Sequence, residues 1–70
     1  MSTMITREYA NPSSGGRERV RRKGDDYYIS SNIPQWGAWF TPWRRVSKAD
    51  CAYGLKYTCA PADVVDQILN

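Results

Sequence analysis

The pair Gly24-Asp25 constrains this chain more than any other feature, because it stands between two runs that alternate as strands do, RERVRRK before it and DYYISS after it. Glycine at the first of two loop positions is the pattern of a type II′ hairpin turn, whose backbone twist matches the strands it joins. With those two residues at the tip, Lys23 faces Asp26, Arg22 faces Tyr27, Arg21 faces Tyr28 and Val20 faces Ile29. Successive strand residues point to opposite sides. Val20, Tyr27 and Ile29 therefore share one face, while Arg17, Arg19, Arg21 and Lys23 share the other with Tyr28 and Ser30. The first is a core face and the second a basic row. A helix over residues 17–23 is disfavoured, since Gly24 and the strand formers Tyr27, Tyr28 and Ile29 follow at once.

The hairpin's neighbours follow from similar arguments. Met4 to Tyr9 reads as a short strand with Ile5 and Tyr9 on one side and Thr6 and Glu8 on the other. Asn11-Pro12-Ser13-Ser14-Gly15-Gly16 reads as a mobile loop. In residues 32–46, Trp36, Trp39, Phe40 and Trp43 recur at helical spacing, yet Gly37 and Pro42 would lie inside that helix. An interior proline costs about 3 kcal/mol. The expectation is a turn at residues 34–37 followed by an irregular or edge strand over 38–46.

Ser47-Lys48-Ala49-Asp50 has the form of a helix start, with a hydroxyl to cap early N–H groups and a carboxylate near the positive end of the dipole. A helix over about 48–57 puts Cys51, Ala52 and Leu55 inward. Pro61 at a first helical position opens a second helix to about residue 69, with Val64, Val65, Ile68 and Leu69 as its apolar stripe. The expected class is α+β: a small antiparallel sheet, made of the hairpin at about 17–31 plus one or two further strands, followed by two short C-terminal helices. All of it forms one small domain spanning residues 1–70.

Seventy residues bury only about 60% of the surface an unfolded chain exposes, so the core is a single small cluster and a large catalytic cleft is not expected. The longest apolar run is far short of the roughly 18 residues that cross a bilayer. The opening MSTMITREYANPSSGG lacks a basic stretch followed by an apolar one, so a cytoplasmic location is expected. There Cys51 and Cys59 read as reduced thiols. Eight residues apart on nearly continuous helix they lie about 12 Å from each other, beyond disulfide reach, and read as small core residues. The rival arrangement is a covalently closed hairpin around Tyr53-Gly54-Leu55.

The chemistry is as informative in what it lacks. The chain has no His, two Cys cannot close a four-ligand zinc site, and no phosphate-loop or dinucleotide fingerprint occurs. Asp25 and Asp26 are adjacent, so on a strand they diverge instead of sharing a proton. No enzymatic activity, cofactor or metal is expected. What the chain does carry is three Trp, five Tyr and seven Arg, the residue types that most often anchor interfaces. Residues 1–46 hold eight basic and four acidic side chains, and residues 47–70 hold two and three. The first half thus attracts anions.

The candidate contact residues are Arg17, Arg19, Arg21, Lys23, Tyr28, Trp43, Arg44 and Arg45. Two plainer accounts stand beside that assignment. A basic row is ordinarily the solvated face of a sheet and also discourages edge pairing, and Trp39, Phe40 and Trp43 can be core in a chain poor in Leu and Ile. The first functional expectation is a small noncatalytic protein that docks an aromatic and arginine surface on a larger protein or nucleoprotein partner and regulates or inhibits it. In size and composition the chain is similar to short inhibitors from phages and mobile elements, anti-CRISPR proteins included, with no shared motif. The alternative is a nucleic-acid-binding module that contacts phosphates through the basic hairpin face. Over under ten residues the Trp43-Arg44-Arg45 region also resembles cationic membrane-active peptides, but no long amphipathic basic helix accompanies it and no membrane partner is expected.

Overall fold

Alternation and the glycine turn together build the centre of the sheet. In the computed structural model, which describes residues 3–37 and 39–70, β1 is Met4–Ala10, β2 Arg17–Lys23, β3 Asp26–Asn32 and β4 Arg44–Val46. They form one antiparallel sheet in the order β1-β2-β3-β4. The β2–β3 register is the expected one, with Lys23 opposite Asp26, Arg21 opposite Tyr28 and Val20 opposite Ile29. Gly24 has φ 60° and Asp25 does not enter the positive region, as a type II′ turn requires.

One face of the sheet is covered by α1 (Lys48–Tyr57) and α2 (Ala62–Leu69). Tyr9, Val20 and Tyr27 from the sheet meet Cys51, Leu55, Val64 and Ile68 from the helices, and all seven are buried. Ile5, Ile29, Val46, Val65 and Leu69 border this cluster. The small α+β fold is the one the pattern implied. Among the described residues no helix is long and apolar enough to cross a membrane.

The helix ends follow local chemistry. Ser47 Oγ accepts the Asp50 N–H at 3.1 Å, a cap that typically contributes about 1 kcal/mol. At the far end the Cys59 N–H donates to the Lys56 carbonyl and the Ala60 N–H to the Leu55 carbonyl, with Cys59 at φ 58°. This is a Schellman ending, with Cys59 in the left-handed position usually given to glycine. It corrects one expectation: Cys51 is buried in the core, but Cys59 is exposed, because the chain reverses at that residue. Both thiols are free. Pro61 is also displaced by one position, standing as the N-cap of α2 and not as its first helical residue.

Polar groups tie the layers together. Thr58 Oγ1 donates to the Gly54 carbonyl at 2.7 Å, so the Tyr9 hydroxyl donates to Thr58 Oγ1 at 2.5 Å. Burial pushes the Tyr9 phenol above its ordinary value. Arg22 donates to the Gly24 carbonyl and to the Ile68 carbonyl, placing a cation at the C-terminal end of α2. Arg7 bonds Asp63 at 2.8 Å and also reaches Gln67. The hydrogen bond from Arg7 holds the Asp63 carboxyl below its ordinary value.

The segment 11–16, expected as a mobile loop, joins β1 to β2 and carries its own hydrogen bonds. The Asn11 N–H donates to the Gly16 carbonyl and the Gly15 N–H to the Asn11 carbonyl, while Asn11 Oδ1 accepts from the Ser13 N–H. Gly16 is buried against β3, where an added Cβ would lie 2.1 Å from the Asn32 carbonyl oxygen.

Candidate docking surface

The face of the sheet away from the helices carries the basic row, and the segment after β3 folds along its edge. Three consecutive β3 residues hold that segment. Ser30 Oγ donates to the Thr41 carbonyl at 2.5 Å, the Thr41 N–H donates to the Ser31 carbonyl at 2.8 Å, and Asn32 Nδ2 donates to the carbonyls of Gly37 and Trp39. A short 3-10 turn, Pro34–Trp36, starts the reversal where a turn was expected. The edge strand expected over 38–46 is regular only at Arg44–Val46, and Ala38 lies outside the described residues.

The register explains which aromatics reach the face. Ile29 is opposite Arg44, whereas Asn32, three residues on, is opposite Phe40, four residues back. One extra residue is therefore accommodated between Phe40 and Arg44, a bulge that contains Pro42 at a sheet edge where proline is tolerated. The shift sets Phe40 and Trp43, three apart in sequence, on the same side. The helix-like spacing of the aromatics is thus realised without a helix.

On that side the two rings meet the arginines. The Arg19 guanidinium carbon lies 3.6 Å from the Phe40 ring centroid and 5.6 Å from that of Trp43, and Arg21 lies 4.2 Å from Trp43. Such contacts contribute about 0.5–2 kcal/mol each. Arg21 Nε also donates to Thr6 Oγ1 at 3.0 Å. Arg19 Nε is buried and has no hydrogen-bond partner among the described residues. Arg17 is ion-paired with Glu8, and Arg45 with Asp26 at 3.0 Å. Lys23 is exposed.

The eight candidate residues thus divide. Arg17, Arg19, Arg21, Lys23, Tyr28, Trp43 and Arg45 share one face. Arg44, opposite Ile29, lies on the other side of the strand and does not join them. Alternation within a strand separates Arg44 from Arg45, so the sequence held the signal for that split. Phe40, absent from the candidates, supplies the closest stacking contact, and only the bulge reveals it. Arg19 and Arg21 are half-buried, where a bare row would leave them fully exposed.

Met4, Arg21, Lys23, Tyr28 and Trp43 line a cleft of about 230 Å³ on this face. It combines an aromatic wall with two cations that have no carboxylate partner among the described residues. A wider depression of about 600 Å³ lies near the hairpin tip and the start of α1, where Asp25 and Asp50 offset Arg44 and Arg45. Its mixed charge selects no ligand class. Among the described residues no three His, Cys, Asp or Glu side chains gather as a metal site. No protein-family model, curated protein or solved structure matches the chain.

Proposed function

We propose that the chain is a noncatalytic binding module that sets the aromatic and arginine face of its sheet on an acidic surface of a larger protein or nucleoprotein complex and regulates or blocks it. The observation that carries this reading is the pair Arg19 and Arg21, held under Phe40 and Trp43 with no carboxylate partner among the described residues. Holding a long side chain in place before contact removes an ordering cost of about 0.5–1.5 kcal/mol from binding. Partly desolvated guanidinium groups also favour a partner that brings carboxylates, because charge-assisted hydrogen bonds are stronger where water is scarce. Lys23 and the cleft beside Trp43 extend the same surface.

The test is affinity capture from a nuclease-treated native lysate with the wild type and Lys23→Glu. A stoichiometric protein recovered by the first and lost with the second is expected. Equal recovery by both, or no protein at all, counts against the reading.

A second reading, nucleic-acid binding, draws on the spacing of Arg19, Arg21 and Lys23, which recur every second residue at about 6.8 Å along a strand. That ladder also suits successive phosphates. A labelled duplex and single strand titrated against salt decide it, since phosphate binding must weaken linearly in logarithmic terms as salt rises.

A further inference from the structure

We propose that β1 is a self-pairing edge, at which two copies of the chain join antiparallel through Met4–Ala10 about a two-fold axis at Arg7 and fuse their sheets into one. This goes beyond the docking reading and uses the open backbone edge of β1, of which only Met4 also lines the docking cleft.

Backbone direction is the first argument. The Asn11 N–H donates to the Gly16 carbonyl at 2.8 Å, which makes that pair a hydrogen-bonded one. Hydrogen-bonded pairs alternate along an antiparallel ladder. Tyr9, Arg7 and Ile5 therefore exchange bonds with β2, and Met4, Thr6, Glu8 and Ala10 turn their N–H and C=O groups to the open edge. None of these outward groups bonds another described residue.

The edge is also long and unbroken. It runs seven residues with no proline, lysine or bulge, and its two charges, Arg7 and Glu8, are already ion-paired within the chain, whereas the opposite edge strand is three residues long and adjoins the Pro42 bulge. A long unblunted edge is a template for another strand.

The sequence of β1 then selects a second copy as that strand. Centring on Arg7 is the register that pairs all seven residues, with Met4 opposite Ala10, Ile5 opposite Tyr9 and Thr6 opposite Glu8. The outward-turned residues meet one another, so the hydrogen bonds are of one register. Thr6 Oγ1 already accepts from Arg21 and keeps its proton to donate to the partner's carboxylate at position 8. Ile5 against Tyr9 is an aliphatic and aromatic cross-strand pair of the favourable kind. The two Arg7 side chains meet as ion pairs, since each holds its own Asp63 at 2.8 Å. Equal faces adjoin in this register, so two basic faces would form one continuous surface.

Sedimentation equilibrium of the intact chain up to millimolar concentration, combined with cross-linking, tests the proposal. The wild type is expected to rise from 8.0 kDa toward twice that mass. Glu8→Pro removes an outward N–H and no ladder bond of the single chain, so it should keep its circular dichroism and dimerise at least tenfold more weakly. In a Cys59→Ser background, Arg7→Cys should form a linked dimer on oxidation, because residues opposite each other in a non-hydrogen-bonded pair have Cα atoms about 4.5 Å apart. Thr6→Cys, offset by two residues from its copy, should not. A wild type that keeps single-chain mass throughout, a Glu8→Pro variant that folds and dimerises unchanged, or cross-linking at position 6 but not 7 overturns the proposal. Should Glu8→Pro fail to fold, the cross-linking pair decides. Addition of a foreign strand to this edge of a monomeric chain would likewise overturn it.

Discussion

Gly16→Ala should destabilise the protein through a backbone collision that no rotamer change relieves. A Cβ at this position would lie 2.1 Å from the Asn32 carbonyl oxygen and 2.9 Å from Pro34 Cδ. The first distance is about 0.9 Å shorter than the 3.0 Å below which Cβ contacts essentially do not occur. Both neighbours belong to the backbone or to a ring, so relief requires β3 and the loop after β1 to separate. Overpacking of this kind typically costs about 1–3 kcal/mol, and a collision with backbone belongs at the upper end. For a domain of this size each kcal/mol shifts the melting temperature by roughly 4–8 °C, which gives a fall of about 12–24 °C. The disturbance falls where the aromatic segment leaves β3, so the near-ultraviolet circular dichroism of the tryptophans should weaken as well. Gly54→Ala is the matched comparison: a Cβ there meets nothing within 4 Å, and alanine in a helix should raise stability by about 0.5–1 kcal/mol. Thermal melts followed in the far and near ultraviolet measure both. A Gly16→Ala protein melting within two or three degrees (~0.5 kcal/mol) of the parent would refute the packing argument.

Other consequences are as direct. Because the folded-state pKa of Tyr9 is raised above its unfolded value near 10.0, its contribution to stability is present below that pH and is lost as pH rises through the folded value. Denaturant midpoints measured into the alkaline range should fall less for Tyr9→Phe than for the wild type, and equal slopes would contradict the assignment. A thiol reagent should label Cys59 in the native protein and Cys51 only after unfolding, since burial both shields the Cys51 thiol and pushes its pKa up. Val20→Glu puts a carboxylate into the core and should cost several kcal/mol, about 3–5 kcal/mol if it stays unpaired, whereas Lys23→Glu should leave thermal stability within about 0.5 kcal/mol. Trp43→Ala should lose the stacking on Arg21, for a cost of about 1–2 kcal/mol in a melt.

Much of this fold was legible because its instructions are local. Gly24 specifies a turn that only one register satisfies, and that register assigns Val20 and Arg21 to opposite faces without any tertiary information. Ser47 and Asp50 mark the start of α1 by chemistry confined to four residues. Arg22 shows the limit of such reasoning: it shares the helix side of the sheet with Val20, but its partner, the Ile68 carbonyl, is 46 positions away. Cys59 shows another, since its place depends on α1 ending in a left-handed residue that sequence chemistry would assign to glycine. The docking face was half legible. Alternation placed Arg17, Arg19, Arg21 and Lys23 together, but the stacking of Phe40 on Arg19 depends on a one-residue bulge at Pro42, and a bulge leaves no periodic trace. The plainer account of the basic row as a solvated face accordingly gives way to one in which Arg19 and Arg21 also secure the aromatic segment.

The claim that the sheet face, and not the helical side, makes the functional contact is open to one direct measurement. A photo-crosslinking residue placed at Lys23, exposed beside the Trp43 cleft, is compared with one at Tyr57, exposed and stacked on Tyr53 at the outer side of α1. Both proteins are irradiated in native lysate and resolved by mass. The account predicts a discrete protein adduct from position 23 and none from position 57. An adduct from position 57 with none from position 23 would contradict it.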